Sequence, residues 1–182
     1  MSINHLKGEI MKVAPDKVEA IALWIYKGFN LRSFTWSFTL KELNINQLTL
    51  CYPCDTNMTI SPSDNYPWRF PHDTMWRILP EKYKKLEYIY VFANPFDNQF
   101  EKGFKRIDQL INNCFNTLKL FNIKSIGLIH IPASSSNGRS SCDDDLKSAK
   151  QMIESINSWI NTNNYELQVY LVDRTDDFAN LI

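Results

Sequence analysis

The chain has 182 residues, 44% hydrophobic and 22% charged, with 20 basic residues, 20 acidic residues and a formal net charge of zero. This is enough chain for one ordinary domain with a sizeable core, and too apolar for a disordered one. Zero net charge argues against a protein held to bulk nucleic acid by phosphate neutralisation, which needs a basic surface. The opening residues carry His5, Lys7 and Glu9 instead of a secretory apolar run. The longest apolar stretches, 21–26 and 88–93, are too short to span a bilayer. A cytoplasmic protein without membrane contact is expected.

In chain order, residues 6–11 suggest a strand. Pro15 suits a helix start, and Val18, Ile21, Ala22, Ile25 and Phe29 share one helical face, so a helix is expected there. Phe34, Trp36, Phe38 and Leu40 alternate with polar residues as in a half-exposed strand, and residues 47–52 predict another. Residues 53–71 are turn-rich, and a loop of that length is usually functional or mobile. A short helix is expected over 74–85, interrupted at Pro80.

The C-terminal half has a cleaner pattern. Residues 87–93 form an aromatic and β-branched run ended by Asn94-Pro95, a strand followed by a turn. Phe104, Ile107, Leu110, Ile111, Cys114, Leu118 and Phe121 recur at helical spacing opposite Lys105, Asp108, Asn112 and Lys119. Residues 125–131 are a nearly continuous apolar strand, the pattern of a strand covered on both faces. After a serine-rich loop, Asp143, Asp144 and Asp145 open a second amphipathic helix, where the macrodipole favours acids. Residues 167–172 form the last strand. This β-α-β-α-β order implies parallel pairing with right-handed crossovers in a single α/β domain.

Among the cysteines, Cys114 lies in the apolar stripe of a helix and reads as a small core residue. Cys51 and Cys54 have Cys-x-x-Cys spacing, but loop-forming residues follow them where a redox motif needs a helix. No second such pair is present to complete a zinc site. Two reduced thiols at a strand end are expected. No motif calls for a metal or a cofactor.

From residue 87 to residue 178, the order of strands, helices and polar loop resembles the C-terminal half of macro domains, the ADP-ribose-binding fold of Appr-1''-p processing proteins. Asn122-Ile-Lys-Ser-Ile-Gly-Leu-Ile-His-Ile-Pro132 is similar to that family's strand running into its phosphate-binding loop. Leu167-Gln-Val-Tyr-Leu-Val-Asp-Arg-Thr-Asp-Asp-Phe178 is similar to its last strand with the acidic and aromatic residues beyond. Lys7-Gly-Glu-Ile10 resembles its Gly-Asp-Ile, with Glu9 in place of the adenine-contacting Asp. The resemblance implies a three-layer α/β/α fold with a mixed, largely parallel sheet. The departures concern the ligand. The family's Asn-Ala-Ala-Asn segment and the glycine-rich loop after it are missing, and the loop at 133–142 has one glycine. Glycines there let backbone amides approach a diphosphate.

In open α/β sheets, ligands bind beyond the carboxyl ends of the parallel strands. Three loops qualify: 94–100, 133–142 and 173–178. In the second, Ser134, Ser135, Ser136 and Asn137 offer donors, Gly138 permits close approach and Arg139 can hold a phosphate. Against this, Asp143–Asp145 put negative charge where an anion would bind. Asn94 and Asp97 could contact a ribose or base, although both also suit turns. Asp173 and Phe178 follow the last strand, and an aromatic there could stack on adenine or pack on the core. His130, inside an apolar strand, reads as a satisfied imidazole rather than a catalyst. His72 lies in the long loop with Trp68 and Trp76 near it in sequence.

The leading expectation is binding of ADP-ribose or a related nucleotide, with hydrolysis lacking an identifiable base. One rival is a domain acting through protein contacts at Trp68, Phe70 and Trp76. Another is a metal-dependent nucleotide-processing enzyme on a Rossmann-like fold, using Asp97 or Asp173.

Overall fold

The computed structural model describes residues 3–25, 41, 43–53, 59–60, 73–79, 82–96, 100–133, 141–174 and 178–182. Its elements are β1 (Ile3–Lys7), α1 (Ile10–Val13), β2 (Ala20–Ile25), β3 (Gln47–Tyr52), β4 (Thr59–Ile60), β5 (Thr74–Leu79) and β6 (Tyr88–Ala93). They continue with α2 (Phe100–Leu120), β7 (Ser125–Ile129), α3 (Cys142–Asn163) and β8 (Gln168–Asp173). The strands form one eight-stranded sheet in the order β1-β8-β7-β2-β6-β5-β3-β4. From β1 to β6 neighbours are parallel, and from β6 to β4 they are antiparallel.

Alternation within each strand sends side chains to two cores. Tyr90 and Phe92 of β6 join one, and Ile89 and Val91 join the other. On the first face, Ala20 and Ala22 of β2 leave room for α2 and α3, whose Phe115 and Trp159 meet edge to face at 5.3 Å. On the second face, α1 and the stretches carrying Ala14, Val18, Leu43, Ile45 and Leu86 cover Ile21, Leu23, Trp76 and Val172. The result is the expected three-layer arrangement around a mixed, largely parallel sheet.

Local chemistry sets the helix ends. Ser141 caps α3 by accepting from the Asp144 amide at 3.1 Å, and the Asp144 carboxylate returns the bond, a capping box. Asn164, at φ 43°, ends α3 in the left-handed conformation, and Asn122, at φ 57°, does the same just after α2. Gly103 allows the Phe96 ring to lie against α2, since a Cβ there would sit 2.2 Å from that ring. Among the described residues no helix is long and apolar enough to cross a membrane.

Several expectations are corrected. The helix expected to start at Pro15 is instead β2 over Ala20–Ile25, a central strand whose uninterrupted apolar run mimics a helical stripe because both faces are buried. The helix expected at 74–85 is β5 over 74–79, where Trp76 and Ile78 fill the second core and Met75 the first. The first strand lies earlier than expected, at Ile3–Lys7, with α1 after it. The β-α-β-α-β unit is present as β6-α2-β7-α3-β8, but β2 lies between β6 and β7. The strand expected at 34–40 and most of the 53–71 loop lie outside the described residues. Cys51 is a half-buried thiol in β3 that donates to the Thr49 carbonyl at 3.5 Å, and Cys114 is buried, while Cys54 lies outside the described residues.

Candidate functional site

The parallel strands end at one edge of the sheet, and there the side chains at the tips of β7 and β8 come together. The Asp173 carboxylate, at the end of β8, meets His5 Nε2 at 2.7 Å through Oδ1 and accepts from the Phe178 amide at 3.0 Å through Oδ2. Parallel register explains the first contact. Lys7 pairs with Asp173, so His5 lies two residues back on β1. The Gly8 amide donates to the Asp173 carbonyl at 2.6 Å, and Gly8 holds φ +141°, a conformation that favours glycine.

Glu9 follows directly. Its carboxylate meets Lys12 Nζ at 2.9 Å and an Arg174 guanidinium nitrogen at 2.8 Å. Lys12 holds the Glu9 carboxyl below the ordinary glutamate value, and Arg174 adds to this.

At the tip of β7, His130 Nε2 lies 3.0 Å from the Asp145 carbonyl, and the ring meets Phe178 edge to face at 5.8 Å. The His130 carbonyl accepts from Trp24 Nε1 at 3.0 Å, tying the ends of β7 and β2. Asp145, in the first turn of α3, accepts from the Ala133 amide at 2.8 Å. A protein carboxylate therefore already occupies the first amide of the loop that resembles a phosphate cradle.

Between these groups lies a crevice of about 460 Å³, lined by His130, Cys142, Asp143, Asp145, Leu146, Ala149, Asp173 and Phe178. Its walls are mainly apolar and its polar groups mainly carboxylates. That combination suits a planar base or a ribose better than a phosphate.

By sequence, no family model and no curated protein matches the chain. Solved structures do. The Trypanosoma brucei macrodomain in complex with ADP is similar at 8% identity and TM-score 0.56, over 98% of this chain and 67% of that one. The same macrodomain in complex with ADP-ribose gives 8% and 0.54, over 98% and 66%. A variant of the Oceanobacillus iheyensis macrodomain with ADPR gives 12% and 0.58, over 97% and 88%. The fold is that of a macrodomain. The resemblance seen over 87–178 thus extends across nearly the whole chain, with β2 as the central parallel strand that the sequence disguises.

Of the residues singled out from the sequence, Asp173 and Phe178 line the strand-end crevice, and Glu9 pairs with Arg174 just beyond the end of β8. Phe178 is 1% exposed, so it packs down as well as forming a wall. Asn94 sits at the end of β6, and its Oδ1 accepts from the Phe96 amide at 2.9 Å, ordinary turn chemistry. Its buried Nδ2 has no protein partner. Asp97, Ser134, Ser135, Ser136, Asn137, Gly138 and Arg139 lie outside the described residues, as do Trp68, Phe70 and His72. Trp76, offered from the sequence as an interface residue, is fully buried in β5, with Nε1 donating to Thr74 Oγ1 at 2.9 Å. It is core, because its position in β5 faces the second apolar layer. The sequence reading missed Cys142, Asp143, Asp145 and Leu146 as crevice residues. The crevice admits them because the first turn of α3 faces the end of β8, and only their place just after a strand-end loop could have signalled it.

Proposed function

We propose that this protein binds ADP-ribose or a related nucleotide, with the nucleoside in the crevice at the ends of β7 and β8. One observation carries the reading: a crevice of ligand size lies at the carboxyl edge of the parallel strands in a macrodomain fold whose solved neighbours include complexes with ADP and ADP-ribose. Apolar walls from Leu146, Ala149 and Phe178 suit a base, and the acids suit ribose hydroxyls as acceptors. Ser134, Ser135, Ser136, Asn137, Gly138 and Arg139, which follow β7 in sequence, are the donors this reading assigns to the phosphates. Glu9 is the adenine-side counterpart of the family's Asp.

The proposal is binding. Asp173 and Asp145 both serve as acceptors to neighbouring groups, so neither stands as an uncommitted base. The metal-enzyme reading has no support from Asp173, whose two oxygens already bond His5 and Phe178. Among the described residues no group of three or more potential ligands gathers.

Calorimetric titration tests the reading. ADP-ribose should bind saturably, and Arg139→Ala should weaken it by roughly tenfold to a hundredfold, the worth of a charge-assisted bond to phosphate. Leu146→Asp should weaken adenosine as well as ADP-ribose. Absence of heat with ADP-ribose, AMP and adenosine at millimolar concentration would sink the idea.

A further inference from the structure

His5 does not line the strand-end crevice, yet two hydrogen bonds in series join it to the crevice wall. It lies on β1, at one end of the sheet. Alternation along β1 turns Ile3 toward the first core and Leu6 toward the second, so His5 shares the side of Ile3. On β8, Leu171 belongs to the first core, and Asp173 projects to that same side. Both groups are largely enclosed, with side-chain exposures of 16% for His5 and 12% for Asp173.

Asp173 is the bridge. Its Oδ1 meets His5 Nε2 at 2.7 Å, and its Oδ2 accepts from the Phe178 amide at 3.0 Å. The carboxylate is therefore gripped through both oxygens, by bonds of the charge-assisted kind. Phe178, part of the crevice wall, is held at its backbone by this carboxylate and meets the His130 ring edge to face. Without the His5 ring, Oδ1 loses that bond and the carboxylate gains room to pivot. The acceptor of the Phe178 amide is then no longer fixed in one orientation, and a wall that must be ordered on binding costs affinity. A carboxylate turned into the crevice would also add to the charge of Asp143 and Asp145, which line it, and would repel the electron-rich edge of a base.

We propose that His5 is a positioning residue of the strand-end crevice, fixing Phe178 through Asp173 and so setting the affinity for the ligand. Its effect on affinity rests on the reading of that crevice as a nucleoside site.

The test compares His5→Ala, His5→Gln and Leu6→Ala in the full chain, by NMR of the Phe178 amide and by calorimetry with adenosine. Gln places an N–H near the position of Nε2 and can keep the bond to Asp173. Leu6→Ala loosens packing against the second core and controls for lost stability. His5→Ala should move the Phe178 amide proton upfield and speed its exchange with solvent. It should weaken adenosine by about threefold to tenfold, the worth of one ordinary hydrogen bond. His5→Gln should restore the signal and the affinity, and Leu6→Ala should lower the melting temperature while leaving both as they were. A Phe178 amide unmoved by His5→Ala overturns the proposal. So does unchanged adenosine affinity in that variant, or a loss that Gln does not restore or that Leu6→Ala shares. If the unaltered chain binds neither adenosine nor ADP-ribose, the binding reading fails. A Phe178 signal that follows the His5 side chain would still support His5 as the group that holds the wall, and one that does not would overturn it.

Discussion

At the tips of β7 and β8, several polar side chains are committed to neighbouring groups. Asp173 holds His5 and the Phe178 amide, Asp145 holds the Ala133 amide, and Glu9 holds Lys12 and Arg174. On β6 and just beyond it, where the parallel part of the sheet meets the antiparallel part, the Tyr90 hydroxyl and the Asn94 Nδ2 are instead buried with no hydrogen-bond partner. The first region spends its polar groups on building an edge around an apolar-walled crevice. The second strands two polar atoms in the interior. Apolar walls at a strand edge favour a planar ligand.

The largest expected effect breaks the flank. Trp76→Ala should cost about 3–5 kcal/mol, the range for emptying a buried aromatic position, because Trp76 is fully enclosed in the second core. Denaturant unfolding measures it. A Trp76→Ala chain of undiminished stability would return that residue to an interface role.

A smaller effect strikes the parallel half. Gly103→Ala should cost about 1–3 kcal/mol from overpacking, since the new methyl group would meet the Phe96 ring at 2.2 Å. The gain in helix propensity, about 1 kcal/mol, offsets part of this. Thermal melts should show a loss, and a gain would mean that Phe96 swings clear.

The smallest concerns the crevice edge. The Glu9 carboxyl is held below its ordinary value mainly by Lys12 and less by Arg174. Its contribution to stability is complete above the ordinary glutamate range and is lost as pH falls through the depressed value. An NMR titration of Glu9 should show its pKa rising in both Lys12→Ala and Arg174→Ala, more in the former. The reverse order would make Arg174 the dominant partner.

The regular spacing of Ile107, Ile111, Cys114 and Leu118, and of Ala149, Ile153, Ile156 and Ile160, made α2 and α3 legible. The short β-branched and aromatic runs did the same for β6, β7 and β8. The resemblance to macro domains also rested there. Residues 18–25 misled because a strand buried on both faces has no alternation, and Val18, Ile21, Ala22 and Ile25 then coincide with a helical face. Residues 74–79 misled because their pairing with β3 and β6 decides their conformation, and neither partner is adjacent in sequence. Asp173 and Phe178, singled out from their place at and beyond the end of the last strand, do line the strand-end crevice. Their contacts with His5 and His130 were not, since they join residues on separate strands.

The sequence by itself determined the α/β class, the helices α2 and α3, and the edge of the sheet where a ligand would be sought. Those follow from local periodicity and from chain order, which a single segment carries within itself. Only the tertiary structure decided that β2 enters between β6 and β7, that Trp76 is core, and that the Tyr90 hydroxyl lies buried without a partner. Each of those depends on which distant segment lies alongside, and burial and pairing exist only once the segments have met.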